Sequence, residues 1–307
     1  MANTIGLRVY RLSVQRDGDR SELAFDAPEL HVAVQDFVRS FVGARLAITQ
    51  RSDLERSWFF EHKIAPTYSN IKGYIHYGTY GFESNLIGAL TMQTNYRRKA
   101  DDIEEIPLYF EFWFPSGAKF GLLALQSFQS RSCVGIVLDD LRQAFVQQNA
   151  DVRLIVKKLM PNDVKGSLFN QLPVKKLTLI KKSVPSDLAD RYTGGGQSSE
   201  VNLEISLSAK RRGTLGTFGS ISGYLKDGEQ SAIVFDGTDF DEAVAEVSIG
   251  GRRRRVGVYG RNSEAGVIDM TDSVTKGVDG HPTFESLARE TRSILAEFYG
   301  VLAASRR

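Results

Sequence analysis

The chain is poor in the residues that carry out chemistry. Its 307 residues include one cysteine, Cys133, and four scattered histidines, His31, His62, His76 and His281. A single thiol excludes an internal disulfide and any multi-cysteine zinc or iron–sulfur centre, and it suits a reducing cytosol. No His-Glu-x-x-His and no His/Cys cluster is present, which argues against a zinc hydrolase. There is no Gly-x-x-x-x-Gly-Lys-Ser/Thr loop, no Gly-x-Gly-x-x-Gly after a strand and no Gly-x-Ser-x-Gly elbow. ATPase, dinucleotide-binding and α/β-hydrolase readings therefore lack their motifs. Long apolar runs are missing too, none approaching the roughly 18 residues of a membrane span. The segment Met1–Arg8 lacks the basic-then-apolar pattern of a secretory signal. These absences lead us to expect a cytoplasmic chain with no membrane partner, no cofactor and no metal.

What is present is enough for a core. The composition is 42% hydrophobic and 25% charged, which excludes collagen-like, coiled-coil and wholly disordered chains. The segment 4–15 reads as a strand ending at the Asp17-Gly18 turn. Pro28 followed by Leu30, Val34, Phe37, Val38 and Phe41 predicts an amphipathic helix over 28–45, with His31 on its polar edge. Alternating aromatics predict a strand over 69–80, and another is expected near 85–97. Pro107 and Pro115 bracket a run of aromatics, and the Pro115-Ser116-Gly117 turn joins it to Phe120–Phe128 as a hairpin.

Helical spacing returns over 133–148, with Cys133 packed at its start, followed by strands over 152–159 and 174–182 and a short helix near 162–171. Residues 193–199 are the most linker-like stretch, placing a boundary between a domain of residues 1–192 and one of 200–307. Strands are expected at 200–209, 231–236, 243–249, 254–260 and 267–270, and a last helix over 282–303. The fold class is therefore α+β, with mostly antiparallel or mixed sheets, an N-terminal amphipathic helix, a central α/β unit and a C-terminal helix.

Charge is distributed unevenly beneath a formal net of +2. Residues 151–182 hold eight basic side chains against two acidic ones, whereas the flanking segments are slightly negative. If the two strands there are neighbours, Lys157, Lys158, Lys175, Lys176, Lys181 and Lys182 form a stripe suited to a polyanion backbone. Two further clusters follow: Lys210, Arg211 and Arg212, and Arg252, Arg253, Arg254 and Arg255. The first precedes glycines at 213, 216 and 219, whose N–H groups can approach phosphate. The second follows the Gly250-Gly251 turn on a strand, so its arginines alternate between two faces. Tyr224, Phe235 and Tyr259 are candidate base-stacking side chains. The competing readings make the lysine pairs a solvated strand edge that blocks aggregation, and pair the Arg252–Arg255 run internally with Asp236, Asp239, Asp241, Glu242 and Glu246.

Acid chemistry has fewer supports. Asp236-Gly237-Thr238 shares part of the motif Asp-x-Asp-Gly-Thr, but Val234 replaces the nucleophilic aspartate. His76 and His281 read as structural. The function expected is non-catalytic binding of nucleic acid, DNA or RNA, through backbone phosphates. Two alternatives stand beside it. One is a scaffold or regulatory subunit with protein partners or self-association, carried by the apolar runs Leu108–Phe114 and Trp58-Phe59-Phe60. The other is a metal-dependent nuclease of a bacterial phage-defence or mobile-element system, using Asp236 and Asp239.

Overall fold

The computed structural model describes residues 5–47, 49–52, 55–159, 168–184, 201–210, 213–227, 233–235, 238–249, 251–260 and 266–304. It is an α+β fold built on antiparallel sheet. The chain divides into two compact units. The first holds residues 1–5, 9–157 and 275–287, and the second 6–8, 158–274 and 288–307. The boundary expected at 193–199 lies outside the described residues. The division falls earlier because strand β11 (Lys176–Val184) pairs on both sides with strands of the second unit.

In the first unit the sheet order is β1 (Ile5–Arg16), β9 (Gly121–Phe128), β8 (Glu104–Trp113), β5 (Asn70–Thr79), β4 (Arg56–His62) and β3 (Gln50–Ser52). The short β2 (Glu22–Leu23) and β10 (Val152–Leu159) also pair with β1. Every side chain of β9 is buried, as a strand covered on both faces requires. Two helices pack together here, α1 (Val34–Gly43) through Phe37 and α2 (Val134–Gln148) through Phe145, with ring centroids 5.0 Å apart. Of the apolar runs that suit a core or an interface, Trp58, Phe60, Leu108, Tyr109, Phe110, Phe112 and Phe114 are core, while Phe59 and Trp113 are half-buried.

Three local departures have physical causes. The first helix starts at Val34 rather than 28, because the Asn149 side chain accepts the N–H groups of His31 (2.9 Å) and Val32 (3.3 Å) and holds that segment outside the helix. Strand β8 runs through Pro107. The β9 ladder spans Phe110–Trp113, so the missing proline donor falls beyond it. Nearer that ladder, the Tyr109 N–H is satisfied by Gln126 Oε1 at 2.7 Å. The strand expected near 85–97 is a hairpin, β6 (Ser84–Ile87) with β7 (Thr94–Arg98), inserted between β5 and β8.

In the second unit the order is β12 (Val201–Ser208), β11, β15 (Glu242–Ile249), β16 (Arg252–Tyr259) and β17 (Ile268–Asp269), with Gly6 and Leu7 paired to β17. Gly251, at φ 71°, makes the tight turn between β15 and β16. A small hairpin joins β13 (Ile233–Phe235) to β14 (Thr238–Phe240). Helix α3 (Leu168–Gln171) packs against α4 (Phe218–Asp227), an element that local periodicity does not predict. The last helix, α5 (Phe284–Ala304), forms as expected.

Candidate nucleic-acid interface

Alternation along β16 separates its four arginines. Arg254 turns inward and is fully buried, donating to Ile249 O (3.0 Å), Ser273 Oγ (3.1 Å) and Glu290 Oε2 (2.7 Å). Arg252 reaches the same carboxylate at 3.2 Å. Arg254 therefore meets no external ligand, a correction to its expected role, because its guanidinium is buried and held on Glu290. Arg253 and Arg255 point to the opposite face and are exposed.

Register extends that outer face across four strands. Glu246 of β15 lies opposite both Arg255 and Lys176. Lys176 lies opposite Ser208 of β12, and Thr178 opposite Ser206, their hydroxyls 3.2 Å apart. Lys176, Thr178, Glu204, Glu246 and Arg255 line a cleft of about 90 Å³. The other face of these strands is apolar, carrying Leu177, Leu179, Ala243, Ala245 and Val247.

The two ends of the polar face differ. At one, Lys182 pairs with Glu242, while Lys181, in phase with Leu177 and Leu179 on the opposite face, has its Nζ 3.8 Å from Asp241. Asp241 also accepts the Lys182 N–H at 2.8 Å. The acidic segment thus neutralises Lys181 and Lys182 from within. At the other end no ion pair within 4 Å engages Lys176, Lys210 or Arg255 among the described residues, and Arg253 lies 3.5 Å from Glu246. Lys175 is taken up by Gly213 O at 2.6 Å. Arg211 and Arg212 lie outside the described residues.

Two expectations fail on topology. β10 pairs with β1 and not with β11, so Lys157 and Lys158 do not join the other lysines in one stripe. The glycine-rich loop keeps its donors at home: Gly213 N–H bonds Lys210 O (2.8 Å), Leu215 N–H Val174 O (2.9 Å) and Phe218 N–H Leu172 O (2.9 Å). Gly216 N–H bonds Thr214 Oγ1 at 3.2 Å. Gly219 lies in α4, where a Cβ would stand 3.0 Å from Asn170, so its role is close helix packing. Tyr224 projects from α4 beside Leu177 and Leu179, on the apolar side of the sheet, and Tyr259 is half-buried. The Phe235 side chain lies outside the described residues. Tyr224 is exposed, but on the side of the sheet opposite Lys176 and Arg255.

The first unit holds its own charged groups. His76 stacks on Phe59, ring centroids 4.6 Å apart, and its two ring nitrogens meet Glu61 (2.7 Å) and Glu105 (2.8 Å). Neither nitrogen is left for a metal or a substrate proton. Burial raises Glu61, but hydrogen bonds from Lys63 and His76 outweigh it and hold the carboxyl below its ordinary range. Burial, with Glu285, Asp279 and Glu61 nearby, pushes Tyr74 up to about 12. Burial also favours neutral His62, lowering its pKa.

A cleft of about 680 Å³, missed in the sequence because its walls are distant in the chain, opens between α2 and β3–β5. Two of its charged groups are ion-paired, Asp140 with Arg45 at 2.7 Å and Asp139 with Arg142 at 3.0 Å, and Arg56 donates to the Tyr77 hydroxyl. Among the described residues, no three His, Cys, Asp or Glu side chains gather to hold a metal ion, and no helix is long and apolar enough to cross a membrane. No protein-family model and no curated protein matches the chain.

Proposed function

We propose that the chain is a non-catalytic, cytosolic nucleic-acid-binding protein that grips the phosphate backbone of DNA or RNA on the polar face of β12, β11, β15 and β16. The reading rests on one observation. Lys176 and Arg255 flank Glu246 on that face, and Arg253 lies 3.5 Å from the same carboxylate. The exposed Lys210 follows two residues after Ser208 at the same end of β12, and Lys176, Lys210 and Arg255 lack an ion-pair partner among the described residues. Arginine supplies planar bidentate donors to phosphate and lysine a compact point charge. The hydroxyls of the exposed Ser206 and Ser208 add neutral donors of the kind that position a backbone without reading bases.

Fluorescence anisotropy with labelled single- and double-stranded DNA and RNA tests this reading at several salt concentrations. Three to four neutralised phosphates predict a log–log salt slope of about −2.7 to −3.6 on duplex DNA and about −2.1 to −2.8 on single strands. The double reversal Lys176→Glu with Arg255→Glu should weaken every sequence alike, while Lys157→Glu, on β10, leaves affinity unchanged. Absence of binding at low salt, or a double reversal without effect, overturns the reading.

A further inference from the structure

The cleft of about 680 Å³ beside α2 lies wholly within the first unit and has the size of a small-molecule site. Strand register builds its floor. Gln50 lies opposite Trp58, Trp58 opposite Tyr77, and Ser52 opposite Arg56, so five side chains of β3–β5 share one face. The N-terminal half of α2 supplies the other wall, with Gly135, Ile136 and Gln143.

This cleft holds more donors than its own acceptors can engage. Tyr77 is 2% exposed and accepts from Arg56 through its hydroxyl oxygen, while its own O–H meets no acceptor among the described residues. Trp58 is equally buried and packs against Phe41 and Phe60, with ring centroids 6.3 and 5.4 Å away. Its indole N–H has no acceptor among the described residues either. Arg56 is exposed and has no carboxylate partner among them. The Ser52 hydroxyl is buried without a partner. Native folds leave few buried polar groups unmatched, and such a set calls for a ligand.

The helix adds two further donors. Its hydrogen-bond ladder begins with Val137 N–H on Cys133 O at 3.0 Å, and Ser132 Oγ takes the Val134 N–H at 3.4 Å. The N–H groups of Gly135 and Ile136 fall between these and face no side-chain cap and no acidic residue in the first turn. The carboxylates of the wall are already engaged, Asp140 by Arg45 and Asp139 by Arg142. With those pairs neutral, Arg56 leaves the lining positive.

We infer that the cleft binds a small organic phosphate, its phosphate group held by Arg56, Tyr77, Trp58 and the first-turn N–H groups of α2. Arginine forks and helix N-termini both favour oxyanions. Two guanidinium N–H groups, the Tyr77 O–H, the Trp58 N–H and the N–H groups of Gly135 and Ile136 make six donors. That number exceeds the roughly four lone-pair sites of a carboxylate and suits the three terminal oxygens of a phosphate monoester. The remaining volume takes a hydroxyl-bearing organic body, met by Gln50, Gln143 and the exposed Asp139. The inference is independent of the nucleic-acid reading, whose residues belong to the second unit.

Isothermal titration calorimetry of the full chain in phosphate-free buffer tests it with adenosine 5′-monophosphate, glucose 6-phosphate, adenosine and inorganic phosphate. At least one ester should bind, about tenfold or more tighter than adenosine and inorganic phosphate. The preferred ester identifies the body as nucleoside or sugar. Gly135→Glu separates binding from folding. No atom lies within 4 Å of a Cβ placed at Gly135, and a glutamate there raises helix propensity and complements the helix dipole. Its melting temperature should hold or rise while ester affinity falls at least about tenfold, and Arg56→Gln should weaken the ester by a similar factor. Failure of both esters to bind overturns the inference. So does adenosine or inorganic phosphate binding as tightly as the esters, or full ester affinity in Gly135→Glu.

Discussion

The inner and outer faces of β16 carry the same side chain in alternation and put it to opposite uses. Arg254 and Arg252 face inward onto Glu290 at 2.7 and 3.2 Å, while Arg255 and Arg253 face outward around Glu246. The same contrast runs along β11, where Lys181 and Lys182 are matched by Asp241 and Glu242 but Lys176 is not. Clustered positive charge thus indicates a binding surface only after internal pairing has been subtracted. That pairing is set by strand register and by a helix arriving 36 residues later in the chain.

The contrast can be broken by substitution, and the inner face should give the largest effect. Arg254→Ala removes the one fully buried arginine on Glu290 and empties its place in the core, leaving Arg252 and Arg289 on the carboxylate, and should cost about 2–4 kcal/mol in denaturant unfolding. Arg255→Ala should change stability by less than about 0.5 kcal/mol. An equal loss from both would erase the distinction between the faces. Next in size, Lys176→Glu with Arg255→Glu should reduce nucleic-acid affinity roughly tenfold or more at low salt and flatten the salt slope by about one unit for each phosphate no longer neutralised. Lys181→Ala with Lys182→Ala should do far less. Those lysines sit in surface pairs, each worth about 0–1 kcal/mol to stability. A loss of affinity matching that of the double reversal would place the footprint at the wrong end of the sheet.

The smallest effect concerns an inward group of the other unit. Burial holds His62 below its ordinary value of 6.5, and its Nδ1 is buried without a partner. The unfolded chain takes up this proton as pH falls through that value, and the folded chain does so only at lower pH. Stability present above 6.5 is therefore lost on acidification. Melting temperature should fall modestly between neutral pH and just below that value, and His62→Gln should remove that part of the fall. A melting temperature that rises on acidification would reverse the assigned sign.

Periodicity made much of the fold legible. The alternation at 70–79, the aromatic hairpin closed by Gly117, the stripe of α2 and the last helix all follow from local pattern. Pattern fails where a distant side chain decides, as when Asn149 captures the N–H groups of His31 and Val32. It also fails at α4, where Gly219 and Gly223 lower helix propensity but Gly219 permits close approach to Asn170. The alternation of Arg252–Arg255 was readable from the strand period. Val256, in phase with Arg252 and Arg254, is fully buried and marks their face as inward; the partner on that face, Glu290 of α5, is what the strand itself does not reveal. The pairing of β10 was equally out of reach, since a strand's neighbours are chosen by topology rather than by its own residues. The uncharged stretch 84–96 was visible throughout and carries the signal of an exposed hairpin only once its surroundings are known.

The way that hairpin enters the sheet makes it a cassette. Thr79 and Glu104 face each other at the end of the β5–β8 ladder, which runs from there to Asn70 opposite Trp113. Residues 80–103 leave and return at adjacent points, so a tight turn grafted between Thr79 and Glu104 would keep every rung in register. The same port would accept a foreign loop, a fluorescent tag or another domain, separating what this unit presents to its surroundings from what holds it together.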